Sequence, residues 1–128
     1  MRFLLDTHTL IWFITDDPKL PLKIKNQVES GNDEFTVSIV SFWEISIKTT
    51  LGKIALEKDV AQIFSIVNDY EFTVLPLAQP HVVLHTNLPL YHRDPFDRML
   101  IAQAMQENLT IITKDKEFSS YPIKTLWT

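Results

Sequence analysis

The order of short β-rich runs and helix-patterned segments restricts the fold of this chain more than any other feature. Arg2 to Leu5, Phe35 to Ile39, Phe72 to Leu75, Leu109 to Ile112 and Ile123 to Trp127 are largely apolar or β-branched stretches of strand length. Between them, apolar residues recur at helical spacing: Leu10, Ile11 and Phe13; Ile24 and Val28; Phe42 and Ile45, with Trp43 and Ile47; Val60, Ile63, Phe64 and Val67. Gln79 to Thr86 adds a short helix, and Lys116 to Tyr121 a turn or single helical turn. Strands that alternate with helices pair through crossovers. The expected architecture is therefore α/β, a mostly parallel sheet of four to five strands with helices on both faces. A chain of 128 residues can bury its own core, and with no repeats or linkers a single domain over residues 1–128 is expected. Trp12, Trp43 and Trp127 fall at core positions of this pattern.

The segment His92 to Ala104, HRDPFDRMLIAQA, carries the densest information. Asp94 suits the cap of a helix, Pro95 its first position, and Asp97 falls in its first turn. Leu100, Ile101, Ala104 and Met105 follow at helical spacing, so the body of the helix packs while its start stays at a rim. Asp97 is thereby held rigidly near the surface. The same Asp-Pro-x-Asp pattern also serves as an ordinary helix start, with both carboxylates accepting from free backbone N–H groups.

Composition removes several function classes. With no cysteine there is no disulfide, thiolate metal site or cysteine nucleophile. Glycine occurs only at 31 and 52, which rules out glycine-rich phosphate loops. No apolar run is long enough for a membrane span, and Met1 to Leu5 runs directly into Asp6-Thr7-His8, so no export signal and a cytoplasmic location are expected. A net charge of −4 argues against a protein that coats nucleic acid through global positive charge, but not against a nuclease whose acidic cluster holds metal.

Four acids fall at one topological edge. Asp6 follows the first strand, Glu44 lies in the first turn of the helix after the second, Asp97 in the first turn of the helix before the fourth, and Asp115 follows the fourth. In an open parallel sheet, functional groups gather outside the carboxyl ends of the strands. Carboxylates packed there raise one another's pKa unless protons or cations neutralise them, and an all-oxygen donor set suits Mg²⁺ or Mn²⁺ better than zinc. Each acid also has a plain structural use. Asp6 can cap the next helix, Glu44 can complete a capping box with Ser41 or pair with Lys48, and Asp115 can sit in a turn. Asp94 reads as a cap or as a group behind the direct ligands. His81 and His85 lack the Glu of a metalloprotease helix and read as structural or surface residues, whereas His8 and His92 lie nearer the acids, within possible reach of substrate.

LLDTHTLIWF, VSIVSFWEISIKTTLGKI, HRDPFDRMLIAQA and TIITKDKEF, with the terminal Leu126-Trp127, together resemble the PIN-domain toxins of bacterial and archaeal VapBC toxin–antitoxin pairs. The resemblance runs nearly end to end. It implies a three-layer α/β/α fold with a central parallel sheet and a Mg²⁺-dependent endoribonuclease held inactive by a small cognate VapB-like antitoxin. It also implies homodimers that assemble with that antitoxin. The family's acids map onto Asp6, Glu44, Asp97 and Asp115, while Asp94 belongs to a variant of the third block. Arg93, Arg98, Lys48 and Lys114 become candidates for contact with the RNA backbone. A catalytically silent RNA-binding or scaffold module is the alternative. A phospho-aspartate phosphatase is disfavoured because His8 stands where its second Asp belongs.

Overall fold

The computed structural model describes residues 1–127, so Thr128, the last residue of the expected domain, lies outside the described residues. Five strands form one sheet: β1 (Arg2–Leu5), β2 (Glu34–Ser38), β3 (Thr73–Leu75), β4 (Thr110–Ile112) and β5 (Thr125–Leu126). Their order is β3-β2-β1-β4-β5, and every pairing is parallel. The helices are α1 (Thr7–Ile14), α2 (Leu22–Glu29), α3 (Ile39–Thr50), α4 (Val60–Asp69), α5 (Gln79–Thr86) and α6 (Pro95–Glu107), with a 3₁₀ turn at Lys116–Ser120. None of the described helices is long and apolar enough to cross a membrane.

The two-residue period of the strands divides the core into two layers. Phe3 and Leu5 of β1, Phe35 and Val37 of β2 and Ile112 of β4 pack with Leu10, Phe13, Ile24, Val28, Ile63 and Val67 on one face. Leu4 and Ile111 face the other way, onto Leu100, Ile101 and Ala104 of α6 and onto Phe118 and Tyr121. The α3 helix serves both layers, with Phe42 and Ile45 in the first and Val40 in the second. This is the expected three-layer α/β/α arrangement. From β1 the chain builds outward to β2 and β3, then crosses to β4 and β5 on the other side. The strand order therefore reverses between β1 and β4, where a crevice opens at the carboxyl ends.

The boundaries differ from the sequence expectation in one place that bears on the site. Ile39 begins α3 rather than ending β2, because Ser38 is the cap: its hydroxyl accepts from the Val40 N–H at 3.0 Å and donates to Gln103 Oε1. Ser41 is buried inside the helix and accepts a hydrogen bond from Thr7, so the expected Ser41–Glu44 capping box does not form. Glu44 consequently lies in the second turn of α3 and points inward. The start of α4 at Val60 is fixed by a reciprocal capping box between Asp59 and Gln62.

Ser38→Ala removes a cap and leaves a buried Gln103 oxygen without its donor. A loss of roughly 2–3 kcal/mol is expected in a urea titration of the variant against the parent.

Candidate active site

Asp6 occupies the turn from β1 into α1 and is only 5% exposed. Its Oδ1 accepts the Thr9 N–H at 2.8 Å, capping α1, and its Oδ2 accepts the Thr113 hydroxyl at 2.6 Å. The Asp6 N–H donates to the Ile112 carbonyl at 3.2 Å, which ties the ends of β1 and β4 together. Burial pushes the Asp6 carboxyl above its ordinary value, against the opposing hydrogen bonds from Thr113 and Thr9.

Glu44 is 2% exposed. Lys48, one helical turn on, donates to its Oε2, while Oε1 is buried with no hydrogen-bond partner among the described residues. Burial pulls the Lys48 ammonium down, but the bond to Glu44 and the negative charges of Glu44, Asp94 and Asp97 outweigh it and raise its pKa. Asp97, in the first turn of α6, is pushed up to about 7 by burial and by the charges of Asp94 and Glu44, with a smaller push from Asp6. The carboxylates of β1, α3 and α6 thus repel one another in a shielded place. Asp94 is the α6 cap, its Oδ1 accepting from the Phe96 and Asp97 N–H groups at 2.9 and 3.0 Å.

Asp115 is placed differently. It is half-exposed and caps the 3₁₀ turn by accepting the Glu117 N–H on Oδ1 at 2.9 Å. Its Oδ2 lies 2.9 Å from His92 Nε2, which is also 3.2 Å from Asp97 Oδ2 and 3.7 Å from Glu117 Oε2. Asp115 therefore connects to the buried acids through His92. Asp6 and Asp115 also share a shallow cleft of about 240 Å³ with His8, Trp12 and Lys114.

Several expectations change here. Arg98 is not available to RNA: at 7% exposure, its guanidinium donates to the carbonyls of Pro89, His85 and Leu88 at 2.8, 3.1 and 3.3 Å. It fastens the loop that leads into α6. Lys48 is half-buried and engaged with Glu44, leaving Arg93 and Lys114 as the exposed cations of the expected set. Trp43 is 59% exposed, with its ring edge-on to Phe96, so it is not a core residue. The expectation for His81 holds, since it is buried and accepts the Ala78 N–H on Nδ1 at 3.0 Å. Glu117 beside the site was missed; the signal available was its spacing two residues beyond Asp115.

The PIN domain family matches residues 3–124 of the chain. The chain belongs to the PIN-domain family. This PIN domain is 26% identical over 121 residues to Ribonuclease VapC22 of Mycobacterium tuberculosis, covering 92% of this chain and 90% of that one. Its fold is similar to VapBC2 of Rickettsia felis bound to a promoter DNA fragment, with a TM-score of 0.75 at 16% identity over 100% of both chains. It is likewise similar to DNA-bound VapBC of Salmonella typhimurium, with a TM-score of 0.68 at 19% identity, covering 98% and 97% of the two chains.

Within the PIN domain, the buried unpartnered Glu44 oxygen and the strained Asp97 carboxyl fit a divalent cation. All the donors are hard oxygens, and positive charge would relieve the repulsion. Because folding raises the Asp97 pKa from 3.8 to about 7, the folded state binds this proton more tightly than the unfolded chain. Its contribution is fully present below pH 3.8 and is lost as pH rises through about 7. Asp97→Asn should therefore melt roughly 3–6 °C above the parent at alkaline pH, with the gap closing towards pH 5 in thermal melts without metal.

Proposed function

We propose that this PIN domain is a Mg²⁺-dependent endoribonuclease and the toxin of a type II toxin–antitoxin pair, acting in the cytoplasm as a single domain over residues 1–128. The observation that carries the metal-dependent reading is the buried Oε1 of Glu44, unpartnered among the described residues, beside an Asp97 that burial and the charges of Asp94 and Glu44 keep from ionising freely. Asp6 and Asp97 would be the principal ligands of Mg²⁺, or of Mn²⁺ in its place; Glu44 and Asp115 would complete the site. When bound, such an ion lowers the pKa of a water ligand and stabilises negative charge on a phosphate oxygen.

The chain's own residues do the positioning. Thr9 and Thr113 hold both oxygens of Asp6, and Asp94 fixes the start of the helix that carries Asp97. Lys48 balances one charge of Glu44. Arg93 and Lys114, both exposed, are placed to meet the RNA backbone, which would make binding weaken with salt. The relative named a ribonuclease supports the activity, and the similar VapBC assemblies support a VapB-like antitoxin as partner. An antitoxin segment inserting Arg or Lys would pair with the carboxylates where the ion binds. Homodimerisation rests on the family resemblance.

The test is cleavage of total RNA by the purified, antitoxin-free chain in Mg²⁺ and in EDTA. Asp97→Asn should lose on the order of 10²-fold or more in rate. Asp94→Asn should stay within about 10-fold of the parent, because Asn also caps helices. Cutting by Asp97→Asn at the parent rate would remove Asp97 from the site. No cutting with Mg²⁺ or Mn²⁺ would return the chain to a silent RNA-binding module.

A further inference from the structure

The ring of His92 stands between the rim acid Asp115 and the Asp97 carboxylate. It is 8% exposed and packs edge-on against Phe118, at 5.6 Å between ring centroids. Its backbone N–H donates to the Tyr121 hydroxyl at 2.9 Å, and that hydroxyl donates to the Pro89 carbonyl at 2.7 Å. Pro89 is also one of the carbonyls that Arg98 holds. The ring is thus anchored from two sides before it reaches any carboxylate.

Its protonation pattern follows from one contact. The Asp94 N–H points at His92 Nδ1 over 3.2 Å, and a backbone N–H only donates, so Nδ1 carries the lone pair. The proton of the neutral ring is then on Nε2, the nitrogen 2.9 Å from Asp115 Oδ2 and 3.2 Å from Asp97 Oδ2. With Glu117 nearby, the His92, Asp115 and Glu117 side chains have the outline of a cation site. An ion there would need the Nε2 lone pair, which the proton occupies. Apart from this approach by His92, the Asp97 carboxylate has no hydrogen bond from the described residues.

We propose that His92 is a positioning residue: its Nε2–H braces Asp115 and Asp97 from behind and it does not itself ligate metal. The brace joins carboxylates of two segments, the start of α6 and the 3₁₀ turn after β4, alongside the longer Arg98–Tyr121 hydroxyl contact at 3.5 Å. Its consequence for cleavage rests on the nuclease reading above; its consequence for cation binding and ring tautomer does not.

Two conservative variants separate the two nitrogens. His92→Gln can keep an N–H donor near the Nε2 position, whereas His92→Asn can keep only the acceptor near Nδ1. Calorimetric titration with Mn²⁺ should give His92→Gln an affinity within about 3-fold of the parent, and His92→Asn one weaker by roughly 10–100-fold. In RNA cleavage the same split should appear in kcat, with KM little changed, because the ring is buried behind the two carboxylates it braces. Long-range ¹⁵N NMR of the parent should show Nε2 protonated both without metal and with saturating Mg²⁺. Loss of that proton on adding Mg²⁺, or wild-type Mn²⁺ affinity in His92→Asn, would overturn the proposal. If neither variant folds, the NMR spectrum of the parent still decides it. If the parent cuts no RNA, the nuclease reading fails while the titration and the spectrum still judge His92.

Discussion

Like charges held together in a shielded crevice are the constraint on which the rest of this structure depends. Asp6, Glu44 and Asp97 arrive from β1, α3 and α6, and burial together with the charges of Asp94 and Glu44 pushes the Asp97 carboxyl up to about 7. A cluster of this kind persists only if the scaffold can bear its cost. The surrounding polar residues do so with fixed donors: the Thr9 N–H and Thr113 hydroxyl on Asp6, Lys48 on Glu44, and the α6 N–H groups on Asp94. The apolar layers on either face of the sheet then keep those donors in place.

The fold was legible because periodicity reports burial directly. Five strands and six helices lie where two-residue and helical spacings put them, with shifts of a few residues at the ends. The placement of the four acids was legible for a related reason: Asp6 and Asp115 follow strands, Asp97 lies in the first turn of a helix and Glu44 one turn into another, and the parallel topology brings those ends to one edge. Asp94 as a cap and His81 as a structural histidine were legible from local pattern alone.

What local pattern could not supply is which polar side chain is sequestered by distant chain. Arg98 looks like a surface cation beside an acidic motif, yet carbonyls of residues 85 to 89 enclose it, a contact set by how the loop after α5 folds back. Ser38 rather than Ser41 caps α3 because Gln103, on another helix, accepts its hydroxyl proton. Trp43 has helical spacing with Ile47, but the face they share is not one that the sheet covers. The partners of His92 are likewise scattered across Asp115, Asp97 and Tyr121, so no short motif announces its position.

The pairing of β1 with β4 also sets when the crevice comes into being. The Thr113–Asp6 bond spans 107 positions, and Thr9 reaches the Ile112 carbonyl across 103. During vectorial synthesis the first acid emerges long before the last, and β1 has no β4 to pair with until residues 110–112 have left the ribosome. An interrupted or nascent polypeptide therefore carries Asp6 and Glu44 without the neighbours that complete their surroundings. The order of the strands thus ties completion of the crevice to the arrival of β4, the segment that brings Thr113 to Asp6.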